Sequence, residues 1–146
     1  MSALDVVKAG FAAAESNDWK KFEGYVAENF VFSGATPQPV GKKEFVGLQM
    51  ALQEAMPDWS FNAAGFKENG DKVTVDMRIT GTQTKELSLP MPGFPKVPAS
   101  NKKVSLPSQP GTFTVKNDKL VSLEVKDVSG GGLQGILAQL GVKMPS

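Results

Sequence analysis

One carboxylate stands out as a residue that could do chemistry. Asp127 follows Val121, Leu123 and Val125, which share one face of a predicted strand because strand side chains alternate with period two. On this pattern Asp127 continues the apolar face, where an unpaired charge is too costly to bury. A carboxylate in an apolar pocket can act as a general base on carbon next to a carbonyl. Asp127 is therefore the candidate catalytic residue.

The same aspartate has a second interpretation. An Asp at a strand end before Ser129-Gly130 can hydrogen-bond its own turn as an Asx motif, with no chemical role. A base at this position would also need a donor for the oxyanion, and the sequence does not fix which group supplies it. The candidates are backbone N–H groups and the side chains of Trp19, Tyr25, Trp59, Ser108 and Gln109.

Composition removes several kinds of site. The 146 residues include no Cys and no His, which excludes disulfides, thiolate and imidazole metal sites, and Ser-His-Asp triads. The formal net charge is +1 and the basic residues are dispersed, so nothing indicates a nucleic-acid partner. No apolar run approaches the roughly 18 residues of a membrane span, and the N-terminus has no signal-peptide core. We expect one cytoplasmic domain over residues 1–146, with no membrane partner.

A glycine run follows the aspartate. Ser129 to Gly132 precede a predicted helix over 133–140, and helix N-termini attract anions. The run lacks the Lys-Ser/Thr ending and the glycine spacing of phosphate-binding loops. The alternative is that these glycines let the chain turn sharply onto the sheet. Gly141 is placed to end the helix.

Three helices are predicted in the first 56 residues. Residues 3–16 begin with a Ser2/Asp5 capping box, and Asn17-Asp18 can cap a second short helix. The third helix, over 42–56, has an apolar stripe at helical spacing. The stripe consists of Phe45, Leu48, Leu52 and Ala55, while Lys42, Lys43, Gln49 and Gln53 are expected to face water.

Most of the rest has the period of strands. An early strand is predicted over 29–33, and alternating residues follow from Trp59 onwards, with a hairpin signal at Asn69 to Asp71. Two strand pieces, 104–106 and 111–115, are expected to be broken by Pro107 and Pro110. Helices segregated from a curled antiparallel sheet make an α+β fold, with a small-molecule pocket on the concave side. Its expected lining residues are Trp19, Tyr25, Trp59, Phe61 and Met77.

The segment from Leu87 to Ser100 combines four prolines with apolar residues, which excludes a helix or a central strand. Its apolar content is too high for a plain solvated loop. It either packs over a pocket mouth or a partner subunit, or forms an arm that covers a sheet edge.

Several of these features together resemble the nuclear transport factor 2-like superfamily. The resemblance is carried by the helical N-terminus, Pro57-Asp58-Trp59, Asn69-Gly70-Asp71 and Thr80-Gly81-Thr82, and it extends over nearly the whole chain. The closing run, Asp127 with Gly135 to Gly141, is similar to the SnoaL-like polyketide cyclase branch. The resemblance implies a cone-shaped α+β barrel, commonly a homodimer, with a pocket between the sheet and the N-terminal helices.

The resemblance also implies a chemistry. SnoaL-like cyclases use no cofactor, and an aspartate late in the chain removes a proton next to a carbonyl. Asp127 stands where that aspartate is expected, but the family's enzymes also place a His in the pocket, and this sequence has none. Two classes of function remain open: a cofactor-free cyclase or isomerase with Asp127 as base, and a non-catalytic ligand-binding or dimerisation module.

Overall fold

The structure is a computed structural model that describes residues 2–36, 38–90 and 96–142. The helices are α1 (Ala3–Glu15), α2 (Trp19–Gly24), α3 (Lys42–Ala55) and α4 (Gly132–Gln139). The strands are β1 (Val26–Ser33), β2 (Val40–Gly41), β3 (Ala64–Asn69), β4 (Lys72–Met77), β5 (Thr80–Thr82), β6 (Lys103–Ser105), β7 (Gln109–Lys116) and β8 (Lys119–Val125).

A large curved sheet forms the framework of the fold. Its six strands follow the order β2-β1-β8-β7-β4-β3, and β5 and β6 form a separate two-stranded sheet. The α+β class with helices packed on a curved sheet is confirmed. One pairing differs from the predicted antiparallel sheet, because β1 runs parallel to β8. No hairpin joins these two strands, so turn geometry does not fix their relative direction.

Two tight hairpins set the register of the central strands. Gly70 and Asp71 connect the paired residues Asn69 and Lys72, which confirms the predicted hairpin. Asn117 and Asp118 connect β7 to β8, with φ values of 53° and 60°. Two successive positive φ angles are typical of the type I′ turn, whose twist matches that of the flanking strands.

Helix α1 closes the concave side of the sheet. The predicted capping box is confirmed: Ser2 accepts the Asp5 N–H, and the Asp5 carboxylate accepts the Ser2 N–H. The helix contacts β3, β4, β7 and β8. Its buried face is made of small and medium residues, including Gly10 and Ala14, and this keeps the helix close to the sheet.

Two strand boundaries differ from expectation. Residues 59–63 lie outside regular strands except for a bridge between Ser60 and Thr80, and β3 begins at Ala64. Strand β7 runs through Pro110, whose carbonyl accepts the Lys126 N–H at 2.9 Å. The predicted break at Pro110 was therefore wrong, since the ladder uses the carbonyl of this residue and does not require its missing N–H.

The proline-rich segment folds back on itself and joins the core. Leu87 and Val97 form a backbone bridge and both are buried. Gln83 holds this closure, because its Nε2 donates to the Val97 carbonyl and its Oε1 accepts the Ser100 hydroxyl. Pro90 lies against Gly47 of α3. Pro90 of the segment thus packs on α3, and residues 91–95 lie outside the described part of the chain.

Candidate functional site

An apolar cavity lies between the concave face of the sheet and the helices. Its volume is about 80 Å³, and all four helices contribute to its wall. Strands β1, β4, β7 and β8 supply the opposite side. The lining side chains from the sheet include Phe32, Met77, Phe113, Leu120, Leu123 and Val125.

Aromatic side chains form two groups around this cavity. Phe11 makes edge-to-face contacts with Phe61 and Phe113, at centroid distances of 5.5 and 5.6 Å. On the other side, Trp19 packs edge-to-face on Phe22 at 5.3 Å. Such contacts add about 0.5–1.5 kcal/mol each beyond area burial, so the cavity is bounded by well-held rings.

The chemical character of the wall is its most informative property. Among the lining residues in the described part of the chain, none is Asp, Glu, Lys, Arg or Tyr. The side chains with polar groups other than the two indoles are Thr36, Gln49 and Gln109. Within residues 2–36, 38–90 and 96–142, no cluster of three or more Asp and Glu side chains could hold a metal ion. The wall can therefore bind and orient a ligand, but offers no side chain that titrates near neutral pH.

Two of these three polar side chains already form hydrogen bonds within the protein. The Thr36 hydroxyl donates to the Gln38 carbonyl at 2.5 Å. Gln109 Oε1 accepts the Gly132 N–H at 2.9 Å, and its Nε2 donates to the Lys126 carbonyl at 3.2 Å. Gln109 thus ties the start of α4 to the sheet.

The hydrogen bonds at the start of α4 indicate that the glycine run has a structural role. At the start of α4, the Gly132 N–H donates to Gln109 and the Leu133 N–H donates to the Ala35 carbonyl. Protein acceptors occupy two of the amide groups that an anion would need. Gly132 has a φ of 67° and packs against the Ala35 backbone, so the glycines let α4 dock closely.

Gln49 is different from every other buried polar residue. The buried polar side chains of the described residues are Gln49, Gln53, Gln83 and Gln109, at 8 %, 8 %, 0 % and 4 % exposure. Gln49 Oε1 is buried and accepts no hydrogen bond from any described residue. It is an acceptor without a partner among the described residues, on a wall that is mostly apolar.

Gln53 lies one helical turn further along α3, and both its amide oxygen and its amide nitrogen are hydrogen-bonded. Its Oε1 accepts the Trp19 indole N–H at 2.8 Å, and its Nε2 donates to the Ala14 carbonyl at 2.9 Å. The indole N–H is also shared with Asn17. The indole N–H of Trp19 is therefore not available to a ligand. The Trp19 ring lies between the cavity and a second pocket, whose lining includes Glu15, Met50 and Lys85.

The structure places Asp127 away from this cavity. The side chain is exposed and is not among the lining residues. The expectation that it continues the apolar face was wrong, because β8 ends at Val125 and the Gly131 N–H then bonds back to the Val128 carbonyl, turning the chain. Leu133 and Ile136 of α4 line the cavity. The role of Asp127 as a base stays a prediction.

The expected pocket residues divide into two groups. Trp19, Trp59, Phe61 and Met77 lie on the cavity wall. Tyr25 is half-buried at the C-cap of α2 and does not line the cavity. That these side chains contact a ligand stays a prediction.

Comparison with known proteins identifies the family. The model of the SnoaL-like domain matches residues 7–123. The chain belongs to the SnoaL-like family. The predicted resemblance to this branch of the nuclear transport factor 2-like superfamily is confirmed. No curated protein matches this SnoaL-like chain.

Solved structures share the fold at low sequence identity. AclR from Streptomyces galilaeus, a suggested hydroxylase, is 18% identical, with 98% of this chain and 97% of that chain covered and a TM-score of 0.73. IdmH from Streptomyces antibioticus, a suggested polyketide cyclase, is 18% identical over 97% and 100%, with a TM-score of 0.70. An LEH-like epoxide hydrolase from M. tuberculosis is 13% identical over 95% and 92%, with a TM-score of 0.66. At these identities the likeness shows the fold alone.

One carboxyl of the SnoaL-like domain has a displaced pKa, and it lies outside the cavity wall. Asp58 accepts the Thr82 N–H at 2.7 Å and the Thr82 hydroxyl at 2.9 Å. The backbone hydrogen bond from Thr82 is the main cause that holds the pKa of Asp58 below its usual range. Asp58 therefore connects the end of α3 to β5.

No described helix is both long and apolar enough to cross a bilayer.

Gln49 is the residue that sequence reasoning missed. Gln49 and Gln53 were expected to face water, and both are buried. A signal for this exists: at 100° per residue, both glutamines fall between Met56 and Val46 around the helix axis. Both of these flanking residues are buried, so the buried arc of α3 is wider than the predicted stripe.

Proposed function

We propose that this SnoaL-like protein binds a small, largely apolar molecule in the cavity and does not act on it by proton transfer from the wall. The observation that carries the proposal is the lining itself, which combines apolar side chains with no ionisable group among the described residues. Small-molecule sites are typically concave, mostly apolar and equipped with a few placed polar groups. General acid–base catalysis needs a titratable group within hydrogen-bond reach of the substrate.

The size of the cavity sets a limit on the ligand. Its volume of about 80 Å³ is roughly half that of an engineered cavity of about 150 Å³ that binds benzene. A ring therefore enters only if the wall yields. Helix α4 is held at both ends, since Gln109 and the Ala35 carbonyl bind its start and Gln139 pairs with the Ser105 backbone near its end, so the side chains of the wall must move to admit a ring.

The test is a titration of the protein with toluene, followed by amide chemical shifts. We expect saturable shifts concentrated on wall residues such as Leu123 and Ile136, with the turn residues Gly70 and Asp71 unchanged. Xenon, which is smaller than a ring, should shift the same residues. If neither probe gives saturable shifts at the wall, the cavity is only a packing defect and the proposal fails.

A second candidate is a cofactor-free cyclase or isomerase with Asp127 as general base. The observation that favours it is the shared fold with IdmH, the suggested polyketide cyclase. Asp127 follows β8, whose Leu123 and Val125 line the cavity. In this structure the carboxylate is exposed, so a ligand would have to extend out of the cavity to reach it.

Proton exchange separates the two candidates. Deuterium incorporation into cyclopentanone in D₂O is measured with the wild type and with Asp127→Asn. The binding proposal predicts no exchange above the buffer rate in either protein, and unchanged toluene affinity in the variant. Exchange by the wild type that Asp127→Asn abolishes would replace the binding proposal with the enzymatic one.

A further inference from the structure

We propose that Gln49 is the specificity residue of the cavity and that the natural ligand carries a hydrogen-bond donor, a hydroxyl or an N–H, on an otherwise apolar frame. This inference rests on the proposed binding function and narrows it to a class of ligand. It begins from the unpaired acceptor Oε1 of Gln49, a side chain that is 8 % exposed and lies on the cavity wall.

An unpaired buried acceptor is costly. Leaving one unsatisfied costs about 1–3 kcal/mol, whereas an apolar residue of similar shape at the same place would cost nothing of this kind. Leu48 and Leu52, the neighbours of Gln49 on α3, are the apolar residues that line this part of the wall. Gln49 is thus a polar group where the fold by itself favours an apolar one.

The other buried glutamines show that the chain is able to pair such side chains. Gln53, Gln83 and Gln109 each donate one hydrogen bond and accept another from described residues. Each of the three joins separate elements of the fold. Gln49 makes no side-chain hydrogen bond to a described residue, so pairing within the described part of the chain does not account for its presence.

The chemistry of the amide selects the ligand. The unpaired atom is the amide oxygen, an acceptor, and an acceptor is satisfied by a hydrogen-bond donor. Alcohols, phenols and N–H heterocycles supply that donor, whereas hydrocarbons, ethers and ketones do not. An ionised ligand is disfavoured, since no described lining residue carries a charge to pair with it.

The experiment compares three ring probes of similar size. Phenol donates a hydrogen bond, anisole only accepts one, and toluene does neither. Dissociation constants are measured by chemical-shift titration for the wild type, for Gln49→Leu, and for Gln134→Leu, which makes the same substitution at an exposed position of α4. Gln49→Met, which keeps an unbranched side chain and removes the amide, is measured in parallel in case the leucine variant does not fold.

We expect Gln49→Leu and Gln49→Met to lower the ratio of phenol affinity to toluene affinity about tenfold, the size of one buried hydrogen bond. Gln134→Leu should leave that ratio unchanged, and anisole should follow toluene in every protein. A ratio that Gln49→Leu and Gln49→Met leave unchanged, while the probes still bind the wall, overturns the role of Gln49 alone. Equal responses of anisole and phenol overturn the donor requirement. Absence of binding by all three probes overturns this inference, and the proposed function fails with it when xenon also gives no saturable shifts at the wall.

Discussion

Helix α3 carries two glutamines that are equally buried and differently used. Gln49 and Gln53 lie one turn apart, each at 8 % exposure. Gln53 binds the Trp19 indole and the Ala14 carbonyl, and so connects α3 to both N-terminal helices. Gln49 Oε1 has no partner among the described residues. The comparison separates a polar side chain that stabilises the fold from one that the fold leaves available to a ligand.

The largest effect on stability is expected from substitution of Gln53, the glutamine that is hydrogen-bonded. Gln53→Leu removes two buried hydrogen bonds, so we expect the free energy of unfolding to fall by about 2 kcal/mol, at about 0.5–1.5 kcal/mol for each bond. Urea unfolding followed by tryptophan fluorescence measures this. The exposed substitution Gln134→Leu should stay within about 0.5 kcal/mol of the wild type. A Gln53→Leu protein as stable as the wild type would remove the basis of the comparison.

A second test changes the part of the cavity wall that α1 supplies. Gly10 lies inside α1 on the lining, and an added Cβ would meet Leu120 at 3.5 Å, an ordinary contact. Gly10→Ala should raise the free energy of unfolding by about 0.5–1 kcal/mol through helix propensity, and it should weaken toluene binding because the methyl occupies cavity space.

The matched control for that variant is Gly47→Ala in α3. There an added Cβ also meets its neighbour at 3.5 Å, but the neighbour is Pro90 and the position is not on the cavity wall. Gly47→Ala should give a similar gain in stability with unchanged toluene affinity. If both variants weaken toluene binding equally, cavity space is not what the binding depends on.

The smallest effect is expected at Asp58, which has two hydrogen bonds but is exposed. Its pKa is lowered in the folded state, so its stabilisation is present above the unfolded value of about 3.9 and is lost as pH falls through the folded value. Asp58→Asn should cost less than about 1 kcal/mol at pH 7. The difference from the wild type, measured by urea unfolding between pH 2.5 and 7, should shrink below about pH 4. A difference that stays constant over this range would contradict the assigned cause.

Local sequence signals predicted much of the fold. The Ser2/Asp5 capping box and the turn at Gly70-Asp71 depend on residues within a few positions of each other, so they are legible in the sequence. The resemblance to the SnoaL-like family also depends on local signals, because the motifs that carry it lie mostly at turns and strand ends. The parallel pairing of β1 with β8 depends on contacts across the whole chain and has no local signal.

The candidate site was less predictable for the same reason. If β8 continued, the two-residue alternation of its side chains would place Asp127 on the same face as Val125. The chain instead leaves the sheet after Val125, where Gly34 packs directly against the Val125 backbone. That contact joins segments about 90 residues apart. The burial of Gln49 has a signal in its position between Val46 and Met56 around the helix axis, but its lack of a partner among the described residues depends on which elements pack around α3.

The most direct test of the central claim is the free energy of unfolding of Gln49→Leu, measured by urea unfolding beside Gln53→Leu. Because the substitution removes an unpaired buried acceptor, we predict that Gln49→Leu is more stable than the wild type by about 1 kcal/mol while Gln53→Leu is less stable. A loss of stability in Gln49→Leu comparable to that in Gln53→Leu would contradict the account, since it would show that Gln49 serves the fold and is not held available for a ligand.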